Sequence, residues 1–150
     1  MRLVIQRVTH ASVTVGAERV SAIGPGLLVL VGVECGDTAE DVAWLVKKTA
    51  GLRIFNDAEG VMNRSVAEAG GQVLAVSQFT LTASTRKGNR PSYIRAAGHE
   101  LAVPLYEAYC EQLSQLLGAP VGRGRFGADM AVELCNDGPV TIIIDSRLKE

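Results

Sequence analysis

The residues best suited to chemistry follow an apolar run in the middle of the chain. Residues 73–76 are Val-Leu-Ala-Val, and the chain then changes at once to Ser77, Gln78, Phe79 and Thr80. Hydroxyl and amide groups would therefore emerge at the end of a buried strand, where binding sites are commonly built. The hydroxyl of Thr80 is the obvious nucleophile, but it needs an adjacent base. The alternative is a strand that simply becomes polar as it reaches solvent.

A second candidate segment is the sequence Asn-Asp-Gly-Pro-Val-Thr at residues 136–141. Asp137-Gly138 is typical of a hairpin turn, but Pro139 removes a backbone donor where the next strand should begin. An X-Pro bond in a tight turn can be cis. Two interpretations stay open. One is an ordinary turn between two strands, and the other is a stiff turn that presents backbone carbonyls to the ammonium group of a ligand.

Few other side chains offer a base, a thiol or a metal ligand. His10 falls in a predicted early turn and His99 near a predicted helix start, so we expect each to be a surface or capping residue. Cys135 is expected to be buried, because its strand neighbours are apolar. The three cysteines show no Cys-x-x-Cys spacing, and nothing places a further ligand beside Asp129 and Glu133. We therefore predict no disulfide framework and no metal site.

One local basic cluster occurs in a chain whose formal net charge is -1. It consists of Arg86, Lys87 and Arg90, with Arg95 beyond them. The net charge argues against a protein that holds long nucleic acid through bulk positive charge. The cluster is either a solvated loop or a local contact for nucleic-acid phosphates.

The composition, with 47% hydrophobic and 21% charged residues, is that of an ordinary globular protein. A chain of 150 residues is near the commonest size of one domain, so we expect a single domain over residues 1–150. The first residues lack the apolar segment of a signal peptide, and no apolar run is long enough to span a bilayer. We expect a cytoplasmic protein with no membrane association.

The apolar pattern predicts the strands that must position these groups. Two strands, at residues 3–8 and 12–15, should be joined by a turn, because a short polar break separates them. Residues 27–33 form a continuous apolar run and should be a strand buried on both faces. The last two strands, at residues 130–135 and 140–145, should form a hairpin around residues 136–139.

Two helices are predicted between these strands. Thr38 and Asp41 have the capping-box spacing at the start of the first helix, and Gly118 is placed to end the second, with Pro104 in its first turn. The apolar faces are Val42, Leu45, Val46 and Leu52 in the first helix and Leu105, Tyr109, Leu113, Leu116 and Leu117 in the second. The fold class is therefore α/β, a layered single domain with antiparallel or mixed sheets packed against two main helices.

Both candidate segments resemble motifs of the D-aminoacyl-tRNA deacylase family, also known as D-tyrosyl-tRNA(Tyr) deacylases. Residues 77–83 are similar to its Ser-Gln-x-x-Leu-x-Ala motif, and residues 136–141 to its Asn-x-Gly-Pro-Val-Thr motif. Further segments that resemble the family are residues 1–8, 87–92 and 124–130. The resemblance thus covers nearly the whole chain.

The resemblance implies an enzyme that hydrolyses the ester joining a D-amino acid, or glycine, to the terminal ribose of tRNA. It implies a homodimer that needs no cofactor and no metal. Gly138-Pro139 would be a cis dipeptide inserted into the pocket of the other subunit, where its carbonyls hold the ammonium group of the substrate. An L-amino acid would drive its side chain into that dipeptide, so selection works by rejection.

The resemblance also implies roles for other residues. Ser77, Gln78, Phe79 and Thr80 would line the ester end of the pocket. The amides of Phe79 and Thr80 would be suited to an oxyanion, and Gln78 would orient the ribose. Phe126 and Met130 would flank the pocket, and Arg86, Lys87 and Arg90 would contact phosphates near the acceptor end.

Because no base is predicted beside Thr80, we favour a mechanism in which the free ribose hydroxyl of the substrate helps to activate water. Two other functions stay open. One is a module that binds the aminoacyl end of tRNA without cleaving it. The other is a hydrolase of small esters or amides that does not need tRNA.

Overall fold

The computed structural model describes residues 1–150 as one α/β domain. A mixed six-stranded sheet carries two helices, and a small two-stranded sheet lies apart from it. The strands are β1 (Arg2–Val15), β2 (Glu18–Ile23), β3 (Gly26–Gly32), β4 (Phe55–Asn56), β5 (Met62–Arg64), β6 (Gln72–Ser77), β7 (Gly122–Arg123) and β8 (Ala131–Asp145). The helices are α1 (Ala39–Gly51) and α2 (His99–Leu117), with a short 3₁₀ helix at Phe79–Thr82.

The long strand β1 organises the main sheet. Its first half pairs with β3 and its second half with β2, while β8 pairs antiparallel along nearly its whole length. Beyond β3 the sheet continues with β6 and β7, both parallel to their neighbours. The parallel pairing brings the C-terminal ends of β3 and β6 to one edge of the sheet, with Val31 opposite Ser77.

The two terminal hairpins predicted from sequence are wrong. Residues 3–8 and 12–15 belong to a single strand, β1, and residues 131–135 and 140–145 belong to a single strand, β8. Neither predicted turn reverses the chain, because each lies opposite the other long strand, although residues 137–140 have no partner in β1. The polar break becomes an irregularity in the pairing, with register shifts around Val8. Tertiary pairing here overrides the local turn preference.

The helices pack on one face of the sheet over the larger part of the core. Buried residues of this part include Leu27, Val29, Leu45, Tyr109 and Leu113. A smaller cluster on the opposite face contains Leu28 and Leu74. Alternate residues of β3 thus enter different clusters, and the prediction that this strand is buried on both faces is confirmed.

The helix ends agree with local sequence in part. Asp41 accepts a hydrogen bond from the Thr38 amide at 2.8 Å, and Gly118 ends α2 with a φ of 66°, as predicted. Helix α2 begins earlier than expected, at His99, so Pro104 lies in its second turn. Leu116 was predicted on the buried face but is 56% exposed. Neither helix combines the length and apolar character needed to cross a bilayer.

Candidate active site

A pocket of about 530 Å³ opens where β3 and β6 end, beside the first turn of α2. Most of its lining residues are hydrophobic, and Asp129 is the only carboxylate among them. The structure brings five of the residues singled out from sequence to this pocket although they lie far apart in the chain. They are Ser77, Gln78, Phe79, Phe126 and Met130.

The motif at residues 77–83 forms a tight turn against β3. The backbone N–H of Gln78 donates to the Val31 carbonyl at 2.8 Å, and the chain then enters the 3₁₀ helix. A Cβ atom at Gly32 would lie 2.9 Å from the Leu81 Cβ, so glycine at that position allows the turn to pack closely. Because Phe79 and Thr80 are the first residues of the helix, their amides have no acceptor within it.

The Thr80 side chain is engaged with its neighbour rather than with a base. Its hydroxyl accepts a hydrogen bond from the Gln78 side-chain amide at 2.5 Å, and Thr80 is not among the residues that line the pocket. An amide NH₂ group donates and cannot take up a proton from a hydroxyl. The geometry therefore provides no activation of Thr80 as a nucleophile.

Phe126 is held between two rings of α2. Its centroid lies 5.4 Å from that of His99 and 5.8 Å from that of Tyr106. The Tyr106 hydroxyl donates to the Ala75 carbonyl of β6 at 2.9 Å. The pKa of Tyr106 is raised above its ordinary value, mainly because the side chain is buried. This arrangement fixes one wall of the pocket relative to β6, the strand that ends at Ser77.

His99 is a pocket residue that sequence reasoning missed. It was correctly placed at a helix start, but it lines the pocket instead of acting only as a surface or capping group. The available signal was its spacing from Tyr106, two helical turns, which places both rings on one face of α2. The spacing does not by itself show that this face meets Phe126, which only the tertiary contacts reveal.

Gly138 and Pro139 lie in the irregular part of β8. Their peptide bond is cis, and both residues are exposed. The φ of Gly138 is 124°, and a Cβ atom there would lie 2.9 Å from Val140 Cγ2 and 3.1 Å from Arg7 Nη2. Neither residue lines the pocket of its own chain. We refer to this exposed segment as the Gly138-Pro139 projection.

Arg7 supports this projection from beneath, a role the sequence did not reveal. Arg7 is 7% exposed, and its guanidinium group donates to the carbonyls of Ile54, at 2.7 Å, and Asp137, at 3.1 Å. It also forms an ion pair with the Asp137 carboxylate at 3.2 Å. One buried cation therefore ties the backbone of the Gly138-Pro139 segment to the core.

The remaining candidates are dispersed. Arg86, Lys87 and Arg90 are exposed and form no ion pair, so their charges face solvent. Two predictions are wrong: His10 lies within β1 and not in a turn, and Cys135 is exposed and not buried. No group of three or more His, Cys, Asp or Glu side chains is arranged to hold a metal ion.

The fold and the pocket define a small α/β domain with a cleft at its strand ends. Residues 4–145 match the family model described as D-Tyr-tRNA(Tyr) deacylase. A relative from Parabacteroides distasonis named D-aminoacyl-tRNA deacylase is 63% identical over 150 residues, which cover 100% of both chains. The chain belongs to this family, and it is a D-aminoacyl-tRNA deacylase, a hydrolase.

Solved structures agree with this fold. The structure titled c-Myc DNA Unwinding Element Binding Protein is 42% identical, with a TM-score of 0.91 over 97% of this chain and 98% of that chain. A structure titled as a probable eukaryotic D-amino acid tRNA deacylase has a TM-score of 0.80 over 95% of this chain and 97% of that chain. Its identity is 20%, so it supports the fold alone.

Proposed function

We propose that the pocket at the ends of β3 and β6 binds the terminal aminoacyl-adenosine of tRNA and hydrolyses the ester of a D-amino acid or of glycine. The observation that carries this proposal is the convergence of Ser77, Gln78 and Phe79 with Phe126 and Met130 around one cleft. An apolar cleft with a few polar groups at one end suits a nucleoside that carries a reactive ester. The enzyme would act in the cytoplasm, where charged tRNA is used.

The chemistry would rest on backbone groups and on the substrate. Ester hydrolysis places negative charge on the carbonyl oxygen, and the amides of Phe79 and Thr80 are free to donate to it. Gln78 would orient the ribose, and its hydrogen bond to the Thr80 hydroxyl holds its side chain in place. The free ribose hydroxyl would help to activate the attacking water, because Thr80 has no base beside it.

Chiral selection would come from Gly138-Pro139 of a partner subunit. These residues are exposed and lie outside the pocket of their own chain, so they can reach a pocket only in another copy. Their carbonyls would accept hydrogen bonds from the ammonium group of the substrate, and an L side chain would collide with the dipeptide. The active enzyme would therefore be a homodimer.

The exposed loop that carries Arg86, Lys87 and Arg90 would contact phosphates near the acceptor end. Reversing two charges, Lys87→Glu with Arg90→Glu, should weaken tRNA binding most at low salt. The logarithm of the binding constant falls linearly with the logarithm of the salt concentration. Each lost phosphate contact should make this slope shallower by about 0.7. An unchanged affinity and slope would show that this loop does not touch the RNA.

The decisive experiment compares hydrolysis of matched D- and L-aminoacyl-tRNA by the wild-type protein. We expect rapid hydrolysis of the D ester and little of the L ester. Similar rates on both would contradict chiral selection, and binding without hydrolysis would favour the non-catalytic module. Equal turnover of D-aminoacyl esters that lack tRNA would favour a general esterase.

A further inference from the structure

Two exposed aromatic rings meet at the rim of the pocket. The centroids of Phe79 and Tyr93 are 5.1 Å apart, and the ring planes make an angle of 72°. The two residues are 55% and 40% exposed, and the neighbouring Ile94 is 86% exposed. Apolar patches of this kind on a soluble domain usually mark a binding surface. Here the two rings meet at a steep angle in a corner, and each ring stays partly exposed.

The segment that carries Tyr93 is held firmly. Ser84 and Ser92 exchange two backbone hydrogen bonds of 2.9 Å, which close the loop between them. Beyond Tyr93, the Arg95 carbonyl accepts from the Cys35 amide at 2.9 Å, and the Arg95 guanidinium donates to the Thr82 carbonyl at 3.0 Å. The backbone on both sides of Tyr93 is therefore held before any ligand arrives, which lowers the entropic cost of binding.

The corner lies between the pocket and the basic loop. Phe79 lines the pocket, whereas Tyr93 does not, so the pair spans the rim. The loop closed by Ser84 and Ser92 immediately precedes Tyr93 and carries the unpaired cations Arg86, Lys87 and Arg90. A flat apolar surface next to unpaired positive charge is the combination that binds single-stranded nucleic acid, through base stacking and phosphate contacts.

We propose that the corner formed by Phe79 and Tyr93 stacks one base of the unpaired 3′ end of tRNA, the base that precedes the terminal adenosine. This inference rests on the proposed function, which places the terminal nucleoside in the pocket. With the planes at 72°, a base that lies on one ring meets the edge of the other, so the corner holds a single base.

The test compares two substrates for each variant, D-aminoacyl-tRNA and a D-aminoacyl ester of adenosine, which lacks the preceding nucleotide. For Tyr93→Ala we expect the ratio of KM on tRNA to KM on the ester to rise about five- to tenfold, since one stacked base contributes at the lower end of the usual range when the ring is partly exposed. Tyr93→Phe keeps the ring and should keep the ratio. Leu116→Ala, an exposed apolar residue at the far end of α2, is the matched surface control.

An unchanged KM ratio in Tyr93→Ala would overturn the stacking site, and this includes the case in which both substrates lose equally. A binding measurement separates this outcome from failure of the proposed function. Uncharged tRNA and the same tRNA shortened by its last two nucleotides are titrated against wild type and Tyr93→Ala. Stacking predicts that the substitution weakens binding of the full-length tRNA and not of the shortened one, whether or not any ester is hydrolysed. Equal affinities of wild type and Tyr93→Ala for the full-length tRNA would refute it.

Discussion

Replacing Arg7 by methionine tests whether the Gly138-Pro139 projection depends on a buried cation. Methionine has a similar length and fills much of the same space, but it removes the hydrogen bonds to the carbonyls of Ile54 and Asp137 and the ion pair with the Asp137 carboxylate. The carbonyl of Ile54, a buried residue, would then lose this charged donor. The variant therefore changes the support of the projection without touching the projection itself.

The expected loss of stability in Arg7→Met follows from these contacts. A hydrogen bond to a charged donor contributes about 1.5–3 kcal/mol, and removing one member of a buried ion pair costs about 3–5 kcal/mol. The Asp137 side chain is 49% exposed, so water takes over much of its interaction. We expect the free energy of unfolding to fall by roughly 2–4 kcal/mol. Arg7→Lys keeps the charge but loses the planar fork, and should fall between wild type and Arg7→Met.

Urea denaturation measures the stability change, and steady-state deacylation of matched D- and L-aminoacyl-tRNA measures selectivity. We expect Arg7→Met to lower the ratio of D to L hydrolysis, because the dipeptide would be held less firmly. Arg53→Met is the matched control, since Arg53 also donates two hydrogen bonds but is exposed, and it should change neither quantity by much. A destabilised Arg7→Met with wild-type selectivity would refute the role given to this residue.

Three further results are expected. Thr80→Ala should retain most of kcat, because its hydroxyl has no base; complete loss with intact binding and fold would disprove the mechanism. Gly138→Ala should lower the unfolding free energy by about 2 kcal/mol in urea denaturation, because φ is positive and the new methyl group meets Val140 and Arg7; an unchanged value would mean that the backbone relaxes freely. Burial raises the pKa of the Cys110 thiol to about 11, so this thiol ionises at lower pH in the unfolded chain than in the folded protein. The free energy of unfolding should therefore fall as the pH rises above 9, by at most about 1.4 kcal/mol per pH unit from this group. Urea denaturation of Cys110→Ala across this pH range should show a flatter dependence.

Local sequence was sufficient where structure is decided within a few residues. The capping pair Thr38 and Asp41 and the C-terminal Gly118 were placed correctly, because each acts on the turn of helix that contains it. The polar motif that begins at Ser77 was also correctly located at a strand end. In each case the pattern and the physical cause share the same short stretch of chain.

Sequence patterns failed where distant strands decide the outcome. The polar break near His10 and the turn sequence at residues 136–139 both looked like hairpins, but β1 and β8 pair across them, more than a hundred positions apart in the chain. The same pairing left Cys135 exposed, against the expectation from its apolar neighbours. Local propensities carry no information about such a partner, and the hydrogen bonds of a long ladder outweigh the preference for a turn.

The sequence by itself determined the α/β class and the strand end at Ser77, since these depend on apolar periodicity. The family resemblance indicated that Phe126 and Met130 flank the pocket, but only the tertiary structure decided that α2 clamps Phe126 between two rings. It also decided that Arg7 supports the exposed dipeptide. These are contacts between segments far apart in the chain, and they form because packing the helices on the sheet and pairing β1 with β8 bury more surface than any local arrangement can.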